Sequence, residues 1–575
     1  MASSPTERDL LLNKPVKSLG PLEISKSNRY GILTGIWLAT FLGSLNATLV
    51  PTMIPAISSE FHQFHQSSWL GTAYLLAGCT FTPLYGRLCN VMGRKGANRM
   101  AITFAAIGAV GCGLSQDMNT LILARFIAGM GGGGIFTTST IIVSDMYTLR
   151  DRGLAQSAAS CFNGLGMGLG GLVGGLISEW INWRAAFLLQ VPFYVFSVWI
   201  TSYNLCYVTP GKSKSAKEIL KRIDYFGILT LLISVASLLM FLSMKYNASM
   251  PWSDPRVLIS LASSLVSALL FMLVEAFVAS DPILTPSMLR QKVPVLVAIS
   301  NLLVATCNFC VNYFFPVWFQ VVMMQSAAVA GLHLAPSSLS MSLGSVFAGW
   351  MMHRMGRYKT INSIFGIFPF IGALLIYNIR EDSGPLQSWL SVIPFGFGNA
   401  VVLQTNLIAL LAHLPESQTA LGTGFGQLFR GIGQVGGLAV ASALFQTRLD
   451  TELRKRIHTP DAEILILNIR RSSQIIHSLN PVEQRAARDA YAQSLRSVYI
   501  LAACATLLAY LVRIPIPDQD LDKAHARRHG ARAGVAVAAG SSGSEDSDPD
   551  ALARDSRSNS TVINKRALPA TATAV

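Results

Sequence analysis

Four ionisable side chains stand inside long apolar stretches of this chain: Arg125, Glu275, His333 and Arg430. A charge in hydrocarbon is expensive, so each marks a candidate substrate or ion path. Arg125 and Arg430 present guanidinium forks suited to a carboxylate. Arg430 stands three and four residues from Gln427 and Gln434, which puts all three on one helix face. Glu275, near the end of its stretch, and His333, whose imidazole titrates near neutrality, are the proton-coupling candidates. For each the competing role is structural: an ion pair for the charged groups, ordinary packing for the histidine. The uncharged Asn46, Gln190, Asn308, Asn312, Gln404 and Asn406 complete the expected lining of a cavity.

Other chemistries find no constellation. No nucleophile elbow, H-E-x-x-H pair or phosphate-binding glycine loop occurs in its required context, which argues against an enzyme. Cys307 and Cys310 form C-x-x-C without a further Cys/His pair, so no metal site is expected. The formal charge of +15 is divided among loops and tails, which excludes a nucleic-acid face. The expected partners are a small-molecule substrate and the lipid bilayer, the expected state is a monomer, and the only energy source called for is a proton gradient, with no cofactor.

Around these residues the chain is two halves. Gly86 to Arg99 reads GRLCNVMGRKGANR, a basic turn between apolar runs, and Gly349 to Lys359 reads GWMMHRMGRYK. Both repeat a frame of glycine, six residues, then Gly-Arg: Gly86 to Gly93-Arg94 and Gly349 to Gly356-Arg357. Basic turns without acids belong in the cytoplasm. With 51% apolar and 13% charged residues, against about 25% charged in soluble domains, the chain must bury its surface in lipid. Mean hydropathy is +0.44.

From Tyr30 onward fourteen apolar stretches approach the roughly 20 residues that span a bilayer. An all-α polytopic membrane protein follows. Its expected parts are a disordered cytoplasmic tail 1–29, a six-helix bundle 30–208, a basic cytoplasmic linker 209–224, two inserted helices 225–293, a second six-helix bundle 294–514 and a disordered cytoplasmic tail 515–575. Within the second bundle, 446–496 reads as a long lumenal loop with short amphipathic helices on the membrane surface. Asn247-Ala248-Ser249 is a candidate glycosylation sequon, and Glu7 to Leu12 fits an acidic dileucine sorting signal. Gly166, Gly170 and Gly174 recur every fourth residue and suggest a close, sliding helix interface.

Five ordered motifs then carry a resemblance: LNATLVPTMIPAI (45–57), WLGTAYLLA (69–77), the turn at Gly86, LILARFIAGMGGGGI (121–135) and GMGLGGLVGG (166–175). Together they resemble the fourteen-helix drug:proton antiporter branch of the major facilitator superfamily. WRAAFLLQVP (183–192) and LFRGIGQVGG (428–437) look most like fungal vacuolar amino-acid transporters, basic amino acids among their substrates. The resemblance implies two six-helix bundles around a central site with helices seven and eight inserted, and a vacuolar membrane protein that exchanges amino acids for protons. Plasma-membrane drug export and a transporter-shaped nutrient sensor are the alternatives. It further implies that Arg125 occupies the motif position of the fourth helix, and that Arg94 pairs with Asp145 to latch one state. Asn90 replaces the acid that caps a helix of the other half. Asn46 stands where the branch has an aspartate, and Gly171 where its antiporter motif has proline, which puts proton coupling in question.

Overall fold

A computed structural model describes residues 24–61, 67–205, 224–242, 244–245, 250–278, 286–415, 418–458, 462–471 and 473–522. The dileucine segment, nearly all of the linker 209–224, Asn247 and the tail beyond Asp522 lie outside the described residues. Among the described residues every regular element is helical. The first half holds α1 (Lys26–Phe61), α2 (Ser67–Val91), α3 (Gly93–Leu114), α4 (Met118–Met146), α5 (Leu149–Trp180) and α6 (Trp183–Asn204, broken for one turn at Leu189 and Gln190). The inserted pair is α7 (Tyr225–Leu242) and α8 (Pro255–Leu273, continued by a π-helical turn to Val278). The second half holds α9 (Lys292–Val317), α10 (Ala335–Met355), α11 (Lys359–Tyr377), α12 (Pro385–His413), α13 (Thr419–Arg456) and α14 (Pro481–Arg513).

Twelve of these fourteen are long and apolar enough to cross a membrane on composition. The other two, α2 and α10, are 25 and 21 residues long and less apolar, α10 because five serines fall within it. They are the helices that meet the opposite half, α2 against α13 and α10 against α5. A helix facing protein rather than lipid needs less hydrophobic surface. The inserted pair docks through α7, whose Ile228 packs with Tyr85 and Leu88 of α2 and Ala420 of α13.

One stripe of α5 shows where the halves meet and where they part. Gly153 and Ser157, near the basic end, pack on Gly349 and the Ser345 carbonyl of α10, and a Cβ on Gly164 would stand 2.5 Å from Ser342 Oγ. Gly168 and Gly175 continue the same face, yet a Cβ on either would meet nothing within 4 Å. The bundle is closed at its basic end and open at the other.

Three expectations change. The basic turns are mostly helical: α2 runs to Val91 and α3 starts at Gly93, because helix ends that reach past the hydrocarbon leave Arg and Lys hydrated. The segment 446–496 is not a long loop, since α13 extends to Arg456 and α14 begins at Pro481. The amphipathic helix Ala462–Arg471 between them turns Ile466 and Ile469 into the protein core with Leu449, Leu453 and Tyr491, which buries its apolar face against the bundle instead of lipid. The chain from Ile514 to Asp522 is docked: Leu521 N donates to the Gly356 carbonyl (3.0 Å), Tyr358 OH donates to the Pro517 carbonyl (2.6 Å), and Ile516 and Leu521 are buried.

Candidate functional site

The closed end is built from the repeated glycine frame. Gly86 of α2 lies so close to α13 that a Cβ there would stand 2.9 Å from the Ala420 carbonyl oxygen, and Gly349 of α10 fills the corresponding place against α5. Gly93 and Gly356 both take left-handed backbone, φ +78° and +65°, and turn the chain into the next helix. Each half therefore contributes one contact glycine and one turn glycine, arranged about the seam.

Beside Gly93 the Arg94 guanidinium spans the two oxygens of Asp145, Nε to Oδ2 at 2.7 Å and a terminal nitrogen to Oδ1 at 3.5 Å, with both side chains about nine-tenths buried. It also donates to the Cys89 carbonyl (2.8 Å) and Asn90 Oδ1 (2.9 Å). Among the described residues the Asn90 amide oxygen accepts from Arg94 and not from a helix of the other half: one helical turn from a guanidinium it finds a stronger donor there. In the second half Arg357 and Asp518 approach only to 4.0 Å and are more exposed. Across the seam Arg150 of α5 donates to the His353 carbonyl (2.5 Å) and forms an ion pair with Asp522 (3.0 Å), and Asp151 lies 3.0 Å from the His353 ring.

Gln404 of α12 bridges the halves in the interior, donating to Ser160 of α5 (3.0 Å) and Ser345 of α10 (2.6 Å). It is a seam residue more than a free cavity wall. Asn406 is fully buried inside the second half, tying α12 to Ser300 and Asn301 of α9.

In the first half Arg125, Asn46 and Gln190 form one cluster. Arg125 is 1% exposed, and its guanidinium donates to Asn46 Oδ1, to the Asn46 carbonyl (3.3 Å) and to the Leu70 carbonyl (3.1 Å). The Tyr74 ring lies 4.5 Å from its central carbon. Asn46 Nδ2 donates in turn to Gln190 Oε1 (3.3 Å), and the Tyr194 hydroxyl reaches the Asn46 side chain. No carboxylate partners Arg125 among the described residues. Neutral oxygens and an aromatic face replace it, so the cluster keeps a net positive charge.

The second half offers a different cation. Arg430 is half-buried on α13 and makes no hydrogen bond or ion pair among the described residues; the same holds for Gln427 and Gln434. On that helix Gly424 and Gly431 face α2, while Gly433 and Gly437 face α9. The Gln427–Arg430–Gln434 face falls between those two sectors. Asn308 and Asn312, half-buried and hydrogen-bonded to one another, occupy the corresponding sector of α9. Since α9 and α13 run in the same direction, the two polar faces open on the same side of the pair. Arg430 stands 11 residues into α13, roughly 16 Å of rise and so about half of a ~30 Å hydrocarbon core.

The remaining candidates lie apart. Glu275 sits in the π-helical turn after α8, beside Gly227 and Asp224 at the start of α7. His333 is 2% exposed, stacked between Phe319 (3.7 Å) and Trp389 (4.2 Å), with Nδ1 on the Val329 carbonyl (2.9 Å). Gly166 and Gly170 face α1 of their own half, a Cβ on Gly170 standing 2.7 Å from the Leu45 carbonyl, and Gly174 is buried. They make a tight joint within one bundle, not the sliding surface, because Gly166 lies two residues, about 200°, from Gly164 on the seam face. Sequence reasoning missed Tyr74, Gly153, Ser160, Arg150 and Asp522. The small-residue spacing Gly153, Ser157, Ser160, Gly164 was the available signal for the seam.

Two helical halves that meet through glycines at one end and enclose polar groups at the midplane define a secondary transporter, not an enzyme. The Major Facilitator Superfamily profile matches residues 36–438, and the chain belongs to that family. Among its relatives, multidrug resistance protein fnx1 of Schizosaccharomyces pombe is 32% identical over 83% of this chain and 90% of its own. The vacuolar membrane amino acid uptake transporter fnx2 of the same yeast is 29% identical, over 91% and 88%. Vacuolar basic amino acid transporter 2 of Saccharomyces cerevisiae is 28% identical, over 78% of this chain and 97% of its own. The human organic anion transporter MFSD10 shares the fold, with TM-score 0.55 and 14% identity over 84% of this chain and 100% of that one.

Proposed function

We propose that this transporter moves amino acids, basic ones among them, across the vacuolar membrane by alternating access, as a monomer and in exchange for protons. The observation that carries the reading is Arg430: a midplane guanidinium without a partner among the described residues, flanked by two glutamines also without one there. Its chemistry suits the carboxylate that every amino acid carries, whatever the side chain. Support for amino acids and the vacuole comes from fnx2 and the basic amino acid transporter. The proton carrier proposed is Glu275, with Asp224 beside it.

Labelled amino-acid uptake into isolated vacuoles, with and without a proton gradient, tests the proposal. Arg430→Ala should weaken apparent affinity by roughly ten-fold or more, the worth of a hydrogen bond to a charged group, and Arg430→Lys should retain part of it. Uptake indifferent to Arg430→Ala would overturn the assignment. The match to fnx1 favours a second reading, drug export at the plasma membrane; under it, efflux of lipophilic cations would persist in Arg430→Ala and vacuolar uptake would be absent. Binding without flux would mark a sensor.

A further inference from the structure

Between α3 and α6 the lipid-facing side of the first half holds a cleft of about 640 Å³, lined by Ile107, Val198 and Trp199, floored by Tyr194 and closed at the basic end by Arg99 and Ser202. Ile107 and Trp199 are 51% and 64% exposed, so the walls face the hydrocarbon. Water has no place there, and an acyl chain does.

The cleft has a head and a depth. Arg99 donates from Nε to Ser202 Oγ (3.1 Å), which leaves both terminal nitrogens of its guanidinium without a partner among the described residues. Lys95, exposed and equally unpartnered, precedes it by one helical turn. The lining runs along α3 from Arg99 to Val110, roughly 16 Å of helix and about half of the hydrocarbon thickness. That is the depth of one leaflet, with the cations at the level of its headgroups.

We infer that this cleft binds one phospholipid of the cytoplasmic leaflet with a net negative headgroup, its phosphate held by Arg99 and Lys95 and one acyl chain laid along Ile107, Val198 and Trp199. Charge complementarity chooses the anionic headgroup: the mouth presents two cations, and Asp145, the acid near that end, is committed to Arg94. The bound chain would also back Tyr194, whose hydroxyl reaches Asn46, so the lipid lies one side chain from the Arg125 cluster.

Trp199 supplies the readout. The full chain would be reconstituted in phosphatidylcholine vesicles containing brominated phosphatidylserine or, separately, brominated phosphatidylcholine. The fluorescence lost to bromine in the native protein but not in Trp199→Phe reports occupancy of the cleft. Half-maximal quenching of that component should need a several-fold lower mole fraction of the anionic lipid, about five-fold for each basic side chain engaged. Arg99→Ala should remove most of the preference and Arg99→Lys should retain it. Ile107→Trp, which fills the cleft while leaving both cations, should abolish the preference by exclusion. Equal quenching by the two lipids, or a preference unchanged in Arg99→Ala, would overturn the proposal, as would absence of quenching by either, the result expected if a second copy's helix covered the cleft.

Discussion

Gly153 on α5 and Gly349 on α10 face one another across the seam: a Cβ on Gly349 would stand 2.6 Å from the Gly153 carbonyl oxygen, and one on Gly153 would stand 3.4 Å from the Gly349 Cα. Backbone cannot yield to a methyl group as a side-chain tip can. Gly349→Ala should therefore disfavour the closed basic end by about 1–3 kcal/mol, the usual cost of overpacking. Labelling of a cysteine placed at Ser345 from the cytoplasmic side should rise above the native-cysteine background. Gly168→Ala, where a Cβ meets nothing within 4 Å, is the control and should leave labelling unchanged.

The Arg94–Asp145 pair makes a second prediction. Arg94→Ala leaves a nine-tenths buried carboxylate without its bidentate partner and costs about 3–5 kcal/mol locally. Transport should fall to a small fraction while the protein still reaches the membrane. Reversing both charges should recover part of the flux; recovery no better than either single reversal would argue against pairing as the source of the effect.

Much of this end is readable in the chain itself. The frame from Gly86 to Arg94 repeats from Gly349 to Arg357 because two halves solve one problem, bringing a helix of each against the other and then turning it. The structure adds which neighbour each face meets. Gly166 and Gly170 announce a close contact, but a four-residue period cannot say whether the partner is α1 or the opposite half. Asn46, Arg125 and Gln190 are visible singly, and only the fold joins residues 79 and 144 positions apart. The docking of Leu521 on Gly356 follows a polar run whose composition reads as a tail, since two buried apolar residues are too few to form a pattern.

That docked segment carries a third prediction. Asp522 pairs with Arg150 of the first half, while Leu521 and Pro517 bond to the Gly356–Tyr358 turn of the second. The segment thus crosses the closed end, and removing residues 516–575 should raise labelling at Ser345 and lower substrate accumulation. Truncation after Asp522 should do neither. Asp522→Ala alone should have a small effect, because the pair is 39% and 59% exposed and worth at most about 1 kcal/mol.

At the open end, Glu60 accepts from Trp183 Nε1 (2.6 Å) and pairs with Arg184 (2.7 Å), tying α1 to α6. Burial alone would raise its carboxyl, but the hydrogen bonds from Trp183 and Arg184 outweigh it and hold the group below its ordinary value of 4.5. A depressed carboxyl contributes stability that is present above the unfolded value and lost as pH falls through the folded one. The difference in thermal stability between the native chain and Glu60→Gln should be flat from pH 7 to about 5, modest for so exposed a pair, and vanish in stronger acid. A difference that grows on acidification would contradict this sign.

The last prediction concerns Asn46, which stands where the family resemblance implies an aspartate and here holds Arg125 through both its side chain and its carbonyl. An asparagine carries no proton, so this cluster cannot itself take one up and release it in each cycle. If accumulation is proton-driven, the group that titrates lies elsewhere, and Glu275 is the acid proposed. Asn46→Asp would add a titratable group in direct contact with the guanidinium, and the pH profile of uptake should acquire a step absent from the native chain and from Asn46→Ala. Glu275→Gln should act in the opposite sense, leaving substrate to equilibrate without accumulating. The decisive measurement is steady-state accumulation in sealed vesicles under an imposed proton gradient. Native protein should concentrate substrate above the external level, and a protonophore should abolish the excess; accumulation that stops at the external concentration and ignores the protonophore would mean that this chain does not exchange substrate for protons.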